Sequence, residues 1–164
     1  MKIRESGMPG ENLWEDFFEP DKILATMELN YNVVNVADFG CGYGTFTIPA
    51  SKVIKGTIYA IEIEDEMINR VAERASKEKL NNVETMLCDF IYEGSGLENE
   101  SVDYAMLFNI LHAEKPGELL KEAYRILTPE GKLGIYTLEL RSGNSARSTN
   151  DDAAQSRAMR QMGC

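Results

Sequence analysis

A β-branched, apolar run from Val33 to Phe39 carries an acid, Asp38, near its end and passes at once into Gly40, Gly42 and Gly44. Glycine at every second position removes Cβ atoms where backbone must turn sharply and lie against a ligand. Between a first strand and a first helix, such a loop lies in the crevice at the carboxyl ends of an open α/β sheet, where ligands bind. The dinucleotide form of the loop is GxGxxG. Here the third glycine comes one position early, giving GxGxG, and Thr45 takes the sixth place. A carboxylate at Asp38 repels a pyrophosphate and suits a cationic or amine-bearing ligand.

The rest of the chain supplies the sheet that such a loop needs. Apolar periodicity predicts two short helical pieces over Trp14–Leu29, with Pro20 in the first turn of the second. It predicts strands over Val33–Phe39, Gly56–Ile63, Val83–Cys88 and Val102–Phe108, and a fifth over Lys132–Leu138 after a turn at Pro129–Gly131. Helices are expected at Thr45–Ile54, Asp65–Lys79 and Lys115–Leu127. Alternating strands and helices make a parallel sheet with both faces covered. The expected fold is a Rossmann-like α/β/α sandwich with strand order 3-2-1-4-5.

Length and charge narrow the class. The 164 residues suit one domain, and 43% hydrophobic with 27% charged residues is ordinary for a globular chain. No stretch approaches the ~20 apolar residues of a membrane span. The first residues lack an apolar signal core, so export is not expected. Three cysteines, Cys41, Cys88 and Cys164, form no CxxC pair. That speaks against a disulfide framework or a zinc site and fits a reducing cytoplasm. A net charge of −10 repels phosphate backbones, so nucleic acid is not an expected partner.

Further polar residues fall where strands end. Glu62 closes strand two; a carboxylate there can accept both hydroxyls of a ribose, unless the run Glu62, Glu64, Asp65, Glu66 is only the solvated start of a helix. Asp89 ends strand three and can accept from an adenine amino group, or is simply a loop acid. Asn109 follows strand four. Asp38 alternatively caps the next helix. Cys41 and Cys88 suit small packing roles better than nucleophilic ones. Trp14, Phe17 and Phe18 form either a lid over the site, within an N-terminal helical segment of about residues 11–29, or an anchor for that segment.

The segments "VADFGCGYGTF", "AIEIEDEMI", "CDF" and "DYAMLFNILHAEKPGELLKEAYRILTPEGKLGI" resemble, in order and spacing, the motifs of class I S-adenosylmethionine-dependent methyltransferases, nearest to the ubiquinone/menaquinone-biosynthesis-like branch. The resemblance covers roughly residues 33–136 and implies the following roles. Asp38 with the Gly40–Cys41–Gly42 backbone holds the methionine end of S-adenosyl-L-methionine. Glu62 takes the ribose hydroxyls and Ile63 packs on the adenine. Asp89 and the Phe90 amide meet the adenine edge, and Phe108 and Asn109 lie by the methionine moiety. His112, the only histidine, faces a small-molecule methyl acceptor, or else is a cap or surface residue. Other functions in view are a non-catalytic cofactor-binding module and a nicotinamide-dependent oxidoreductase; the GxGxG spacing and Asp38 count against the latter.

The resemblance also marks a departure. The family continues after strand five with a helix and a two-stranded hairpin. Here about 25 residues follow Leu138, and residues 141–164 are small, polar and aperiodic. The methyltransferase domain is therefore expected over residues 1–140, with 141–164 as an atypical polar tail, disordered or weakly helical, that is out of register with the ancestral frame, truncated, or else a native low-complexity tail. The hairpin is expected to be missing, and the sheet edge so exposed would favour pairing into a homodimer.

Overall fold

The computed structural model describes residue 11 and residues 18–138. Its elements run α1 (Pro20–Thr26), β1 (Val36–Phe39), α2 (Thr47–Val53), β2 (Ile58–Glu62), α3 (Asp65–Lys77), β3 (Val83–Leu87), β4 (Val102–Phe108), α4 (Pro116–Ile126) and β5 (Leu127–Tyr136). The strands form one sheet in the order β3-β2-β1-β4-β5, and every neighbouring pair is parallel. This is the strand order expected from the sequence. The first helical piece, with Trp14 and Phe17, lies outside the described residues, as do the tail and any hairpin beyond residue 138.

Strand pleating sorts the core into two faces. On β4, Tyr104, Met106 and Phe108 point into a cluster with Leu24 and Leu29 near α1 and Phe46, Ala50 and Ile54 around α2. Ala105 and Leu107 point the other way, onto Leu119, Ala123 and Ile126 of α4. Ala60 of β2 meets Ile68 and Val71 of α3 beside Cys41. All four residues of β1 are buried, so the central strand has no solvated face. Phe18 packs edge-on against Phe46 at 5.3 Å between ring centres.

Element ends differ from the sequence expectation where side chains replace ladder bonds. Val33–Asn35 lies outside β1. The Asn35 amide N–H donates to Asp103 Oδ2 at 2.8 Å, and its side-chain oxygen accepts from Thr57 N at 3.1 Å. β5 begins at Leu127 and not at Lys132. Val102 pairs with Leu127 and Tyr104 with Lys132, so five steps on β5 oppose two on β4. The expected turn at Pro129–Gly131 is thus an excursion inside an edge strand, a place where the missing N–H of proline does no harm. At its other end β5 stops at Tyr136, two residues short of the expected Leu138.

Gly134 of β5 leaves the room that the buried Tyr104 ring occupies, and the Tyr104 hydroxyl donates across to Met27 O at 2.7 Å. A Cβ at Gly134 would run into that ring and its hydroxyl. Gly134→Ala is expected to destabilise the fold by about 1–3 kcal/mol, read from the urea midpoint. Gly117→Ala, where the added Cβ meets nothing within 4 Å, should be neutral or stabilising. Equal effects at the two positions would contradict this packing.

Candidate cofactor site

The glycine loop begins where β1 leaves the sheet. Gly40, Gly42 and Gly44 all have positive φ, at 69°, 52° and 79°. A side chain is strained in that region. At Gly40 space forbids one as well, because a Cβ would stand 2.7 Å from Ile110 Cδ1. The Gly40 and Cys41 amides both donate to Ile61 O, at 2.8 and 3.1 Å, which ties the loop to β2. On the outer side, Arg74 Nη1 of α3 donates to Tyr43 O at 2.9 Å.

Two buried carboxyl groups flank this loop. Asp38 is 3% exposed, and its Oδ2 accepts from the Thr47 hydroxyl at 2.6 Å. That contact is to a side chain in the first turn of α2, which has no side-chain cap bond, so Asp38 is not the helix cap. Burial pushes the Asp38 carboxyl up to about 7; the Thr47 bond opposes the rise and the Glu62 charge adds to it. Glu62 Oε2 accepts from Gly42 N at 3.0 Å and Oε1 from Ile63 N at 2.7 Å. Burial again raises its carboxyl, against those backbone donors. Neither acid has an ion-pair partner among the described residues.

Glu62 also corrects an expectation. At the end of β2 the acidic run allowed a solvated helix start that would leave Glu62 exposed. It is instead 4% exposed and bonded to the loop, because Gly42 N has no ladder partner once the chain has left β1. It is therefore not the solvated start of α3. Cys41 is buried between the two acids; burial first, then their charges, push its thiol well up, so it is no nucleophile. Cys88 is likewise raised, to about 11, chiefly by burial.

The remaining candidates surround the loop. Ile63 is half-buried. Asp89 is half-buried, with Oδ1 accepting from the Ile91 and Tyr92 amides, both at 3.3 Å. Phe90 is buried edge-on against Phe39. Phe108 faces a ring cluster, 5.0 Å from Phe46 and 6.0 Å from Tyr136. Asn109 has a positive φ of 55°; its Oδ1 accepts from Leu138 N at 2.7 Å, while its buried Nδ2 has no partner among the described residues. His112 is exposed on the loop after β4 and contacts none of the other candidates through a hydrogen bond among the described residues. Sequence reasoning missed Thr47, the hydrogen-bond partner of Asp38, and Thr45, whose hydroxyl is buried without a partner among the described residues. Both follow the glycines closely, but only the closed loop shows which way they face.

These residues fit a ligand with a positive centre and polar groups at both ends. Among the described residues two acids lack a cation, and two buried polar atoms, Thr45 Oγ1 and Asn109 Nδ2, lack a partner. An unmade bond on a buried polar group costs about 1–3 kcal/mol, which a bound polar ligand can return.

The raised carboxyl of Asp38 has a measurable consequence. Folded Asp38 keeps its proton up to about 7, whereas the ordinary aspartate value is 3.8. Between those values the folded chain holds the extra proton, so this group's contribution to stability falls as pH rises through the window. Asp38→Asn keeps an oxygen for the Thr47 hydroxyl and cannot ionise. It should be more stable than the parent at about pH 8, with the difference shrinking towards about pH 4 in denaturant titrations. A difference independent of pH would contradict the assignment.

Comparison with known proteins places these features. Residues 36–131 match the family model described as a methyltransferase domain. The crystal structure of an S-adenosylmethionine-dependent methyltransferase from Aquifex aeolicus superposes with a TM-score of 0.70 at 28% identity, covering 83% of this chain and 73% of that one. An uncharacterised methyltransferase-like protein of Schizosaccharomyces pombe is 30% identical over 100 residues, 61% of this chain and 36% of its own length. The 23S rRNA (uracil(1939)-C(5))-methyltransferase RlmD of Aliivibrio fischeri is 38% identical over 63 residues, 38% of this chain and 14% of its own. The chain therefore spans well under half the length of these curated relatives. It carries the family's domain from β1 into β5, and it belongs to the class I S-adenosylmethionine-dependent methyltransferases.

Proposed function

We propose that this chain transfers the methyl group of S-adenosylmethionine to a small-molecule acceptor. The observation that carries the reading is the pair of buried acids, Asp38 and Glu62, set around a GxGxG loop with no cation among the described residues to neutralise them. S-adenosylmethionine, when bound, supplies a methyl group activated on a sulfonium sulfur. The protein's share is then orientation and exclusion of water.

Each candidate residue takes a part in that share. Asp38 and the Gly40–Cys41–Gly42 backbone hold the amino-acid end. Glu62 uses the lone pairs left over from Gly42 N and Ile63 N to accept the ribose hydroxyls. Ile63 lies against the adenine, and Asp89 with the Phe90 amide meets its edge. Phe108 and Asn109 close the methionine side, where the unpartnered Asn109 Nδ2 can donate. His112, exposed at the rim, faces the acceptor. An acceptor that arrives as a thiolate, enolate or amine needs no base from the protein.

Two features support a small acceptor. The charge of −10 works against docking on a polynucleotide, and the named rRNA-modifying relative shares only 63 residues with this chain. Among the described residues no helix is long and apolar enough to cross a membrane. The free thiols of Cys41 and Cys88 suit a reducing compartment such as the cytoplasm.

Calorimetry separates this reading from its rivals. The demethylated product, S-adenosylhomocysteine, should bind in the micromolar range and, at a hundred times its Kd, stabilise the fold by about 2.7 kcal/mol. NADH should do neither, and the reverse pattern would overturn the cofactor. Glu62→Gln should weaken S-adenosylhomocysteine about 30-fold, near 2 kcal/mol at 1.4 kcal/mol per decade. Because Glu62 also holds Gly42, its melting temperature must be followed alongside; Glu64→Ala serves as the control with at most a few-fold effect. His112→Ala should lower turnover and leave the affinity for S-adenosylhomocysteine unchanged. Loss of affinity in step with turnover would remove His112 from the acceptor side.

A further inference from the structure

The connection from β3 to β4 carries Asp89 and Phe90 at its start and is held at its far end by two side chains of α4. Glu122 Oε1 accepts from Ser95 N at 2.7 Å and from the Ser95 hydroxyl at 2.6 Å. Arg125 donates to the same carboxylate through Nε at 2.8 Å and Nη2 at 2.7 Å. Arg125 also donates to Leu97 O at 2.7 Å and Asn99 Oδ1 at 2.6 Å. Ser95 is 1% exposed, and its hydroxyl oxygen accepts in turn from Leu97 N at 3.2 Å. The Arg125 guanidinium above all, with both Ser95 donors, holds the Glu122 carboxyl down to about 2 against partial burial.

An exposed ion pair three residues apart on a helix is worth little. This one differs in what it grips. Its carboxylate accepts from a buried hydroxyl and from a backbone amide that lies in no strand or helix. Gly94, at φ +76°, lies so close that a Cβ there would stand 3.3 Å from Glu122 Oε1. Near the other end of the connection, Cys88 N donates to Glu62 O at 3.0 Å, and the Cys88 thiol reaches Ser95 O at 3.9 Å. The segment from Cys88 to Ser95 is thus a closed ring. It is pinned to β2 on one side and to Glu122 on the other, with Asp89 and Phe90 inside it.

We propose that Glu122 is a positioning residue for the cofactor: through Ser95 it fixes the Cys88–Ser95 loop that presents Asp89 and the Phe90 amide, and so sets the affinity for the adenosine half. The inference rests on the adenine-side role given to Asp89 and Phe90 under the proposed function. A residue that only closed a surface loop would change stability and leave ligand affinity alone.

The test uses calorimetry with adenosine and with S-adenosylhomocysteine on the full chain and its variants. Glu122→Ala should lower the affinity for both ligands by the same factor, about tenfold, because both contain the adenosine half. Glu122→Gln keeps an oxygen for the Ser95 donors and should restore most of the loss. Asp38→Asn, at the amino-acid end, should weaken S-adenosylhomocysteine and spare adenosine. Should Glu122→Ala not fold, Ser95→Ala makes the same comparison with a loss of about threefold in both ligands. The inference fails if the Glu122 and Ser95 variants melt earlier yet keep wild-type affinity for both ligands, or if they lose S-adenosylhomocysteine alone. If wild-type protein binds neither ligand, the cofactor reading itself falls and this inference falls with it.

Discussion

A central strand with no solvated face must end somewhere, and the amides that follow it must find acceptors. β1 solves this by turning through three glycines, of which Gly40 still bonds to the backbone of β2 and the next two find other acceptors. Gly40 N and Cys41 N share the Ile61 carbonyl, Gly42 N takes the Glu62 carboxylate, and Gly44 N returns to Cys41 O. Strand β2 therefore holds the loop twice, once by backbone and once by side chain. The position of α2, the burial of Asp38 and the close approach of Ile110 to Gly40 all follow from that closure.

The same closure brings two acids into one dry place. An interior selected only for stability would not set Asp38 and Glu62 around one loop without a cation among the described residues, since burial raises both carboxyls. Nor would it leave the Thr45 hydroxyl and the Asn109 amide nitrogen without partners among the described residues. Such defects concentrate where a ligand completes the structure, and they trade stability for binding. The aromatic cluster of Phe18, Phe46, Phe108 and Tyr136 supplies the contrary property. Its rings interlock edge to face, and it includes Phe108, which with Asn109 is proposed to close the methionine side.

The two ends of the site are supported differently. The amino-acid end, as proposed, rests on β1, β2 and the start of α2, all core elements. The adenine end, as proposed, rests on a glycine-bearing connection that anchors Phe90, Ile91 and Leu97 in the core and is also bonded to Glu122 and Arg125 of α4. Loops of this kind vary most readily in a fold and often carry specificity. The scaffold shared with the Aquifex protein accordingly says more about the cofactor than about the acceptor.

Much of this was legible in the residues taken alone. Period-two and period-3.6 patterns located the strands and helices, since burial on one face or two leaves an apolar record in the order of residues. The alternating glycines announced the loop, because positive φ demands them. The acids stood at strand ends, which the pattern also locates. Other features depend on groups distant in sequence and became visible only in three dimensions. Nothing local says that Thr47 would turn its hydroxyl to Asp38, or that Glu62 would turn inward to Gly42, twenty residues back. Nor does anything local say that β5 would pair through a bulge, or that Glu122 would reach back to Ser95. Hydrophobic patterning is a property of each segment, and so the chain carries its fold class in one dimension. The pairing of polar groups depends on which segments meet, and only the closed sheet decides that.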